Sequence, residues 1–271
     1  MTHSHDALET YSAFANAARR QRRVMGAVML RNMRTRFFGH GLGYLIVIAW
    51  PLAHILLLVL IHGGTGRAPA YGDSAVLFVA TGVVPFIAFS YTSRFMMVSL
   101  LTTKPLLAFP EVKVLDVLIA AALLESLASC CVLLFVVALG WAFNVFVWPH
   151  DVFDVASGFG AALLLGVGFG FFNGVVMLMT PLWLTTFTLF IIAMWILSGV
   201  FFVPSALPEP YRSIIAYNPV LQVVEWTRVG YLDGYTSLVL DRAFPVYVGV
   251  LFLTLGLVME RAMRGYVLAS K

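Results

Sequence analysis

The chain has 271 residues, of which 61% are hydrophobic and 11% are charged, whereas an ordinary soluble domain is about half apolar and about a quarter charged. This composition excludes an ordinary soluble domain and predicts a single integral membrane domain. The formal net charge is +4, and the two cysteines, Cys130 and Cys131, are adjacent inside an apolar run, which excludes a disulfide framework.

The N-terminal part of the chain is polar and basic. Residues 1–16 are small and polar, which predicts a flexible cytoplasmic tail. Segment 17–38 predicts an amphipathic helix, because helical periodicity gathers its arginines on one side and its methionines on the other. These residues are Arg20, Arg23, Arg31 and Arg34, against Met25, Met29 and Met33. Such a helix lies in the membrane interface with its arginines towards anionic headgroups.

Six apolar runs are long enough to cross a bilayer, which takes about 20 residues. They lie at about 41–62, 74–93, 115–141, 155–179, 182–203 and 244–260. Thirteen of the 17 Lys and Arg residues fall on the side that holds both termini. Because positive residues favour the cytoplasmic side, both termini are expected in the cytoplasm. The sequence therefore predicts an all-α integral membrane protein with six transmembrane helices.

The cytoplasmic connection at 94–116 combines leucines and an aromatic residue with prolines and charges. That composition predicts a short helix with an apolar face, and such a face in the cytosol normally meets a partner protein. The candidate contact residues are Leu100, Lys104, Leu106, Leu107, Phe109 and Glu111. A helix that lies on the membrane surface is the alternative.

Two features lie inside the predicted spans. Span five carries aromatic residues that keep to one helix face, namely Trp183, Phe187, Phe190 and Phe201. Such a stripe packs helices or contacts lipid, and it could equally stack on sugar rings, so both interpretations stay open. Glu125 in span three either locks helices together through a hydrogen bond or takes part in a proton relay.

The segment 204–235, after the fifth span, contains short apolar runs broken by four prolines. It predicts a periplasmic re-entrant hairpin, since such backbone is tolerated at membrane depth only against protein or water. Two short helices are expected to meet at Asn218 and Pro219, because residues before proline avoid the helical region. Glu225 and Arg228 are expected to pair on one helix face. These residues would form a lid over a conduit; an ordinary external loop with a surface helix is the alternative.

No catalytic constellation is present in the sequence. The six histidines lack metal-ligand spacing, no serine or cysteine has an activating neighbour, and no G-x-x-x-x-G-K-[ST] phosphate loop occurs. The sequence predicts a permease rather than an enzyme, with no cofactor in this chain. A proton-coupled transporter working through Glu125 is one rival. A membrane-embedded transferase is another, but it would need acids and histidines clustered at one membrane face.

Three stretches resemble the type-2 ABC exporter permeases. They are RNMRTRFFGHGLGYLIVIAWP at 31–51, PLLAFPEVKVLDVLIAAALLE at 105–125, and SGVFFVPSALPEPYRSIIAYNPVLQVVEWTRVGYLDGY at 198–235. The last is similar to the closing signature of the family, with its LP, NP and E-x-x-R elements. The resemblance is strongest to the capsular polysaccharide exporter permeases of Gram-negative bacteria. Trp50 and Gln222 depart from the pattern, which commonly has Glu and His at these positions.

The resemblance implies a homodimer in the bacterial inner membrane, bound to two cytoplasmic subunits that hold ATP and Mg. It also implies a periplasmic adaptor and an outer-membrane polysaccharide exporter as partners, and no nucleic acid. The expected substrate is an anionic, lipid-linked polysaccharide. Arg31, Arg34 and Arg36 are candidate ligands for its phosphate, because guanidinium binds phosphate bidentately; headgroup anchoring is their alternative role. Export of O-antigen, teichoic acid or a small molecule stays open.

Overall fold

Helices and the loops between them, with no β-strand, make up the part of the chain that the computed structural model describes, which is residues 2–35, 43–64, 68–109, 111–145 and 148–269. Its α-helices are α1 (Thr2–Thr35), α2 (Gly43–Gly64), α3 (Ala75–Thr102), α4 (Val114–Ala142), α5 (Val152–Met179), α6 (Trp183–Leu197), α7 (Tyr211–Ala216), α8 (Pro219–Tyr231) and α9 (Ala243–Ala269). Short 3-10 helices lie at Lys104–Ala108 and Pro204–Ala206. Helix α1 includes residues 2–16, for which the sequence predicts a flexible tail.

Five of these helices are long and apolar enough to cross a membrane, namely α2, α3, α4, α5 and α9. Helix α6 has only 15 residues, about 22 Å at 1.5 Å per residue, whereas the hydrocarbon core is about 30 Å thick. The fifth predicted span thus ends as a helix at Leu197 rather than at residue 203. The physical reason is a turn directly after it, in which Gly199 has a φ of 71°, a left-handed conformation that stops an α-helix.

Side-chain caps explain where several helices begin. The Ser74 hydroxyl accepts a hydrogen bond from the Leu77 amide at 3.2 Å, before α3. The Asn218 side chain accepts one from the Val220 amide at 2.9 Å, before α8. Asp151 caps α5 in the same way. Such caps satisfy amides that have no partner within the helix, so these polar residues fix the starts of otherwise apolar segments.

Helices α3 and α5 form the centre of the bundle. In their most apolar windows 72% and 61% of residues are buried, compared with 17% in α2. Glycines let α5 approach its neighbours closely. A Cβ on Gly168 would lie 2.2 Å from the Gly249 carbonyl oxygen in α9, and one on Gly166 would lie 2.8 Å from the Thr92 Cβ in α3. Close approach of this kind favours helix association within a membrane.

Helix α8 is packed into this bundle instead of lying on its surface. A Cβ on Gly158 in α5 would lie 2.8 Å from the Thr227 hydroxyl of α8. The Asp151 amide, at the start of α5, donates to the Gly230 carbonyl at 2.7 Å. We call the end of the bundle that carries α7 and α8 the hairpin end.

The opposite end, which we call the basic end, carries α1 and the Lys104–Ala108 helix. Helix α1 packs its apolar side against α4, and Val28 is 2% exposed there. Gln21 donates to the Asp116 carboxylate at 3.0 Å, and Asn32 donates to the Ser99 hydroxyl at 3.2 Å. The amphipathic pattern of α1 is therefore used for packing against the bundle.

Candidate functional site

A groove of about 620 Å³ runs between α2, α3 and α6. Its lining is largely aromatic and includes one cationic side chain; the lining residues are Trp50, His54, Phe86, Ser90, Tyr91, Arg94, Phe95, Ile191, Ile192 and Trp195. Most of these residues lie in α2 and α3, and the sequence analysis did not predict them as site residues. The signal that could have found them is the run of aromatic residues at 86, 91 and 95 in α3.

Ring contacts hold the walls of this groove in place. Trp195 packs edge-to-face on Phe86 with centroids 4.4 Å apart, and His54 stacks on Trp195 at 6.0 Å. The His54 Nδ1 and the Tyr91 hydroxyl are 3.3 Å apart and share a hydrogen bond. The walls of the groove therefore combine packed aromatic rings with polar edges.

The predicted aromatic stripe of α6 is split between two environments. Phe187 is 3% exposed, Phe190 stacks on Phe169 of α5 at 5.9 Å, and the Trp183 Nε1 donates to the Asn173 amide oxygen at 2.9 Å. These three residues therefore pack inward against α5 and do not line the groove. These three residues do share one helix face, as predicted. The neighbouring face of α6, which carries Trp195, lines the groove.

Phe201, the fourth residue of the stripe, lies beyond the end of α6. It stacks on His62 with centroids 4.4 Å apart, and Trp195 packs against it edge-to-face at 5.5 Å. The aromatic surface of the groove thus continues through Phe201 towards the hairpin end.

Arg228 is fully buried and binds the end of α6. Its Nη1 donates to the Gly199 carbonyl at 2.7 Å and to the Phe202 carbonyl at 3.2 Å, and its Nη2 donates to the Val200 carbonyl at 2.8 Å. The guanidinium carbon also lies 3.9 Å from the centroid of the Phe78 ring, a cation–π contact. Arg228 therefore supplies hydrogen bonds to carbonyls of the turn at 198–203, directly after α6.

Glu225 neutralises this buried cation. Its Oε1 lies 3.3 Å from the Arg228 Nη1, and both side chains are almost wholly buried, at the spacing that predicts a pair. The Tyr235 hydroxyl donates to both carboxylate oxygens, at 2.9 and 2.8 Å. Burial and then the Glu225 carboxylate raise the pKa of Tyr235, so the phenol keeps its proton and remains a donor. The three side chains form a buried polar network, in which the Arg228 Nε has no hydrogen-bond partner.

Two further side chains tie α8 to its surroundings. Gln222 donates to the Ala216 carbonyl at 2.7 Å, and its oxygen accepts from the Asp241 amide at 2.7 Å. Asp154 of α5 accepts from the Trp226 Nε1 at 3.0 Å and also pairs with Arg242 at the start of α9. Sequence reasoning noted Gln222 only as a departure from a pattern. The hydrogen bonds of Gln222 join α8 to the loop at 232–242, which precedes α9.

Two of the candidate phosphate-binding arginines, Arg31 and Arg34, lie in α1 at the basic end. Arg31 donates to the Thr102 carbonyl at 3.3 Å, Arg34 is exposed, and Arg36 lies outside the described residues. A different set of arginines, earlier in α1, lines a surface cavity of about 430 Å³ together with Asn16, Val24 and Glu111; these are Arg19, Arg20 and Arg23.

The candidate coupling residues have both buried and exposed members. Leu100 and Leu107 are buried, 0% and 7% exposed, whereas Phe109 is 60% exposed. Lys104 is exposed and Leu106 half-buried, while the Glu111 carboxylate lies 3.6 Å from an Arg20 guanidinium nitrogen. The apolar leucines therefore hold the Lys104–Ala108 helix against the bundle, and Phe109 is the apolar group that remains available to a partner.

Glu125 is buried in α4, 5% exposed, and borders a small cavity of about 20 Å³ beside Pro51 of α2 and Ser129 of its own helix. A cavity of this size holds about one water molecule. Among the described residues, no three His, Cys, Asp or Glu side chains are grouped so that they could hold a metal ion.

Five helices long and apolar enough to cross a membrane, and an aromatic groove between α2, α3 and the shorter α6, define the class of protein. Within the described residues it is an all-α integral membrane protein.

Comparison with known proteins narrows this class. The chain is 27% identical over 250 residues to the polysialic acid transport protein KpsM of Escherichia coli, covering 92% of this chain and 97% of that protein. It is 26% identical to the capsule polysaccharide export inner-membrane protein CtrC of Neisseria meningitidis serogroup A, covering 90% and 93%. It is 24% identical to the corresponding protein BexB of Haemophilus influenzae, covering 89% and 91%.

The chain is thus a homologue, over nearly its whole length, of inner-membrane proteins of capsule polysaccharide export. The resemblance that its three motifs indicate is confirmed. No protein-family model matches the chain.

Proposed function

We propose that this chain is the transmembrane subunit of an ATP-driven exporter that moves lipid-linked capsular polysaccharide across the bacterial inner membrane. The observation that carries the proposal is the aromatic groove between α2, α3 and α6, in a chain homologous along its length to capsule export proteins. Aromatic faces bind sugar rings without fixing their register, which a moving polymer requires. ATP and Mg are held by a separate cytoplasmic subunit.

The active unit is a homodimer in which two grooves face each other. Helix α6 supports this, because Phe187 is its one buried residue within the described chain. Trp50 on α2 is 63% exposed, and Leu189 and Ile196 on α6 are 63% and 64% exposed. A second copy would cover these faces and close the groove into a conduit. The complete machine also includes the periplasmic adaptor and the outer-membrane exporter.

A complementation experiment tests this function. Deleting the gene from an encapsulated host is expected to abolish surface polysaccharide and to leave glycolipid inside the cell. Restoring the chain with its ATPase should restore the capsule, whereas an ATPase that binds but does not hydrolyse ATP should not. Whole-cell capsule staining and extraction of intracellular polysaccharide give the readout.

The control for this experiment dissipates the proton gradient while ATP is kept constant. Capsule export that continues without a functional ATPase, yet stops when the gradient collapses, would contradict the proposal. That result would favour a proton-coupled transporter working through Glu125.

The finer topology belongs to the same proposal. Helix α6 and the turn at 198–203 together make the fifth of six crossings. Six crossings place both termini on the same side, and the excess of Lys and Arg on that side makes it cytoplasmic. The hairpin end then faces the periplasm, and α7 and α8 re-enter the membrane from that side. The buried polar network of Glu225, Arg228 and Tyr235 supports this, because buried charges at membrane depth require paired partners.

Cysteine labelling tests the hairpin. In a chain whose Cys130 and Cys131 are replaced by serine, Leu238→Cys should react with a membrane-impermeant thiol reagent applied to spheroplasts. Tyr217→Cys, at the junction of α7 and α8, should be protected, although this side chain is 78% exposed within the subunit, because the bilayer covers it. Phe109→Cys should react only after permeabilisation. Equal labelling rates at positions 217 and 238 would contradict the re-entrant hairpin and favour an ordinary external loop.

A further inference from the structure

Arg94 is a cation placed inside an apolar helix. It lies in α3 and lines the groove between α2, α3 and α6. In α6 and in the candidate spans Leu45–Gly64, Ala75–Thr102, Val114–Ala142, Val152–Met179 and Ala243–Met263, the Arg and Lys residues are Arg94 and Arg261, and Arg261 lies near the end of its span. Charges within membrane helices are expensive and usually face a cavity or serve a function.

The protein satisfies only part of the hydrogen-bonding capacity of this guanidinium. Arg94 is exposed, and its Nη1 donates to the Thr188 hydroxyl of α6 at 3.3 Å. Thr188 is itself held in place, because its hydroxyl donates to the Leu184 carbonyl at 2.8 Å. A guanidinium has five N–H donors, so this contact orients Arg94 and leaves most of its donors to the contents of the groove.

The surroundings of Arg94 suit one kind of anion. Tyr91 and Phe95 flank it on α3, and Trp50 and Trp195 complete the aromatic lining. Aromatic faces accept the C–H face of a sugar ring, while guanidinium binds a carboxylate bidentately. A neutral sugar would use only the first of these contacts. A lipid headgroup would use only the second.

We infer that Arg94 selects acidic sugars: it binds the carboxylate of a sugar residue while that ring stacks on the tryptophans of the groove. This inference rests on the proposed export function and specifies the substrate class of the same site. One cation per subunit favours each acidic residue in turn without holding the whole polymer. The Glu125 carboxylate would repel an acidic sugar, but Glu125 does not line the groove. It lines the neighbouring small cavity, which shares Tyr91 and Phe95 with the groove.

A binding measurement tests the inference on the full-length chain in lipid nanodiscs. The probes are oligomers of sialic acid and, for comparison, neutral maltooligosaccharides of equal length, followed by the fluorescence of the groove tryptophans. Arg94→Gln should weaken binding of the acidic oligomer by about tenfold or more, as expected for the loss of charge-assisted hydrogen bonds. Arg94→Lys should recover part of the affinity, because it keeps the charge without the planar fork. Neutral oligomers should bind all variants equally.

Arg212→Gln is the matched control, since it removes the same charge from an exposed pair with Glu209 at the hairpin end. Acidic oligomers that bind Arg94→Gln as tightly as the original chain would overturn the inference. Loss of binding to acidic and neutral oligomers alike would also overturn it, by giving Arg94 a purely structural role. Arg94-dependent retention of phosphatidylglycerol without binding of acidic sugar would assign the cation to a lipid headgroup instead.

Export by cells with an acidic capsule separates this inference from the proposed function. A chain that fails to restore the capsule but binds acidic oligomers through Arg94 would refute export and leave the binding site intact. A chain that restores the capsule equally well with Arg94 and with Arg94→Gln would support export and refute the selective role of Arg94.

Discussion

Arg228→Ala is expected to lower the free energy of unfolding by about 3–5 kcal/mol, the usual cost of removing one member of a buried ion pair. The substitution leaves Glu225 as a buried charge without its cation, and it strips the carbonyls of Gly199 and Val200 of their donors. Thermal or denaturant unfolding of the purified protein in detergent measures the change. Export should be lost at growth temperature.

The neighbouring pairs provide the controls for Arg228. Arg212→Ala removes an arginine from an exposed pair with Glu209, so its effect on stability should be small, as for surface ion pairs generally. The double variant Glu225→Gln, Arg228→Gln should cost less than the sum of the two single changes, because it leaves no buried charge unpaired. A chain with Arg228→Ala that unfolds like the original would show that the network does not stabilise the hairpin.

Phe109→Asp is expected to abolish co-purification of the ATPase subunit while the chain itself still folds. Phe109 is 60% exposed beside the Lys104–Ala108 helix, so a charge there should interfere with docking and not with packing. Leu107→Asp should behave differently. It is 7% exposed, and a buried carboxylate destabilises the subunit itself. Affinity capture of a tagged chain, with a melting curve for each variant, separates the two effects.

Leu238→Asp is the control for Phe109→Asp, because it places the same charge on an exposed apolar position at the hairpin end that the labelling experiment expects to face water. Capture of the ATPase should be unaffected there. An ATPase that still co-purifies with Phe109→Asp would move the docking surface elsewhere, with the arginine-lined cavity of α1 as the next place to examine.

The positions of the five long apolar helices could be predicted from hydropathy alone, because length and apolarity are local properties of the chain. The junction at Asn218 and Pro219 was also readable, since proline restricts its predecessor. The end of α6 could not be predicted from the sequence. It depends on Gly199 and on donors from residues distant in sequence: Arg228 binds the carbonyls of the turn, and the Asn218 side chain donates to the Leu197 carbonyl at 3.1 Å.

The groove shows a second limit of sequence reasoning. Periodicity indicates which residues share a helix face, but not which neighbour that face meets. Trp183, Phe187 and Phe190 share a face that packs inward, while Trp195 on the adjoining face lines the groove. Leu107 shows the same limit. It was predicted as a docking contact but is 7% exposed, because an apolar residue in a cytoplasmic segment serves equally well as an anchor or as a docking contact.

The glycine contacts of α5 determine which mutations this chain can tolerate. At Gly166 and Gly168 even a methyl group would collide with a neighbouring helix, whereas lipid-facing residues such as Leu134, 68% exposed, can exchange with any apolar residue at little cost. In a soluble protein the most damaging changes make core residues smaller. At these contacts of α5 the most damaging changes make residues larger, so related sequences should keep small residues there while the exposed apolar surface varies freely.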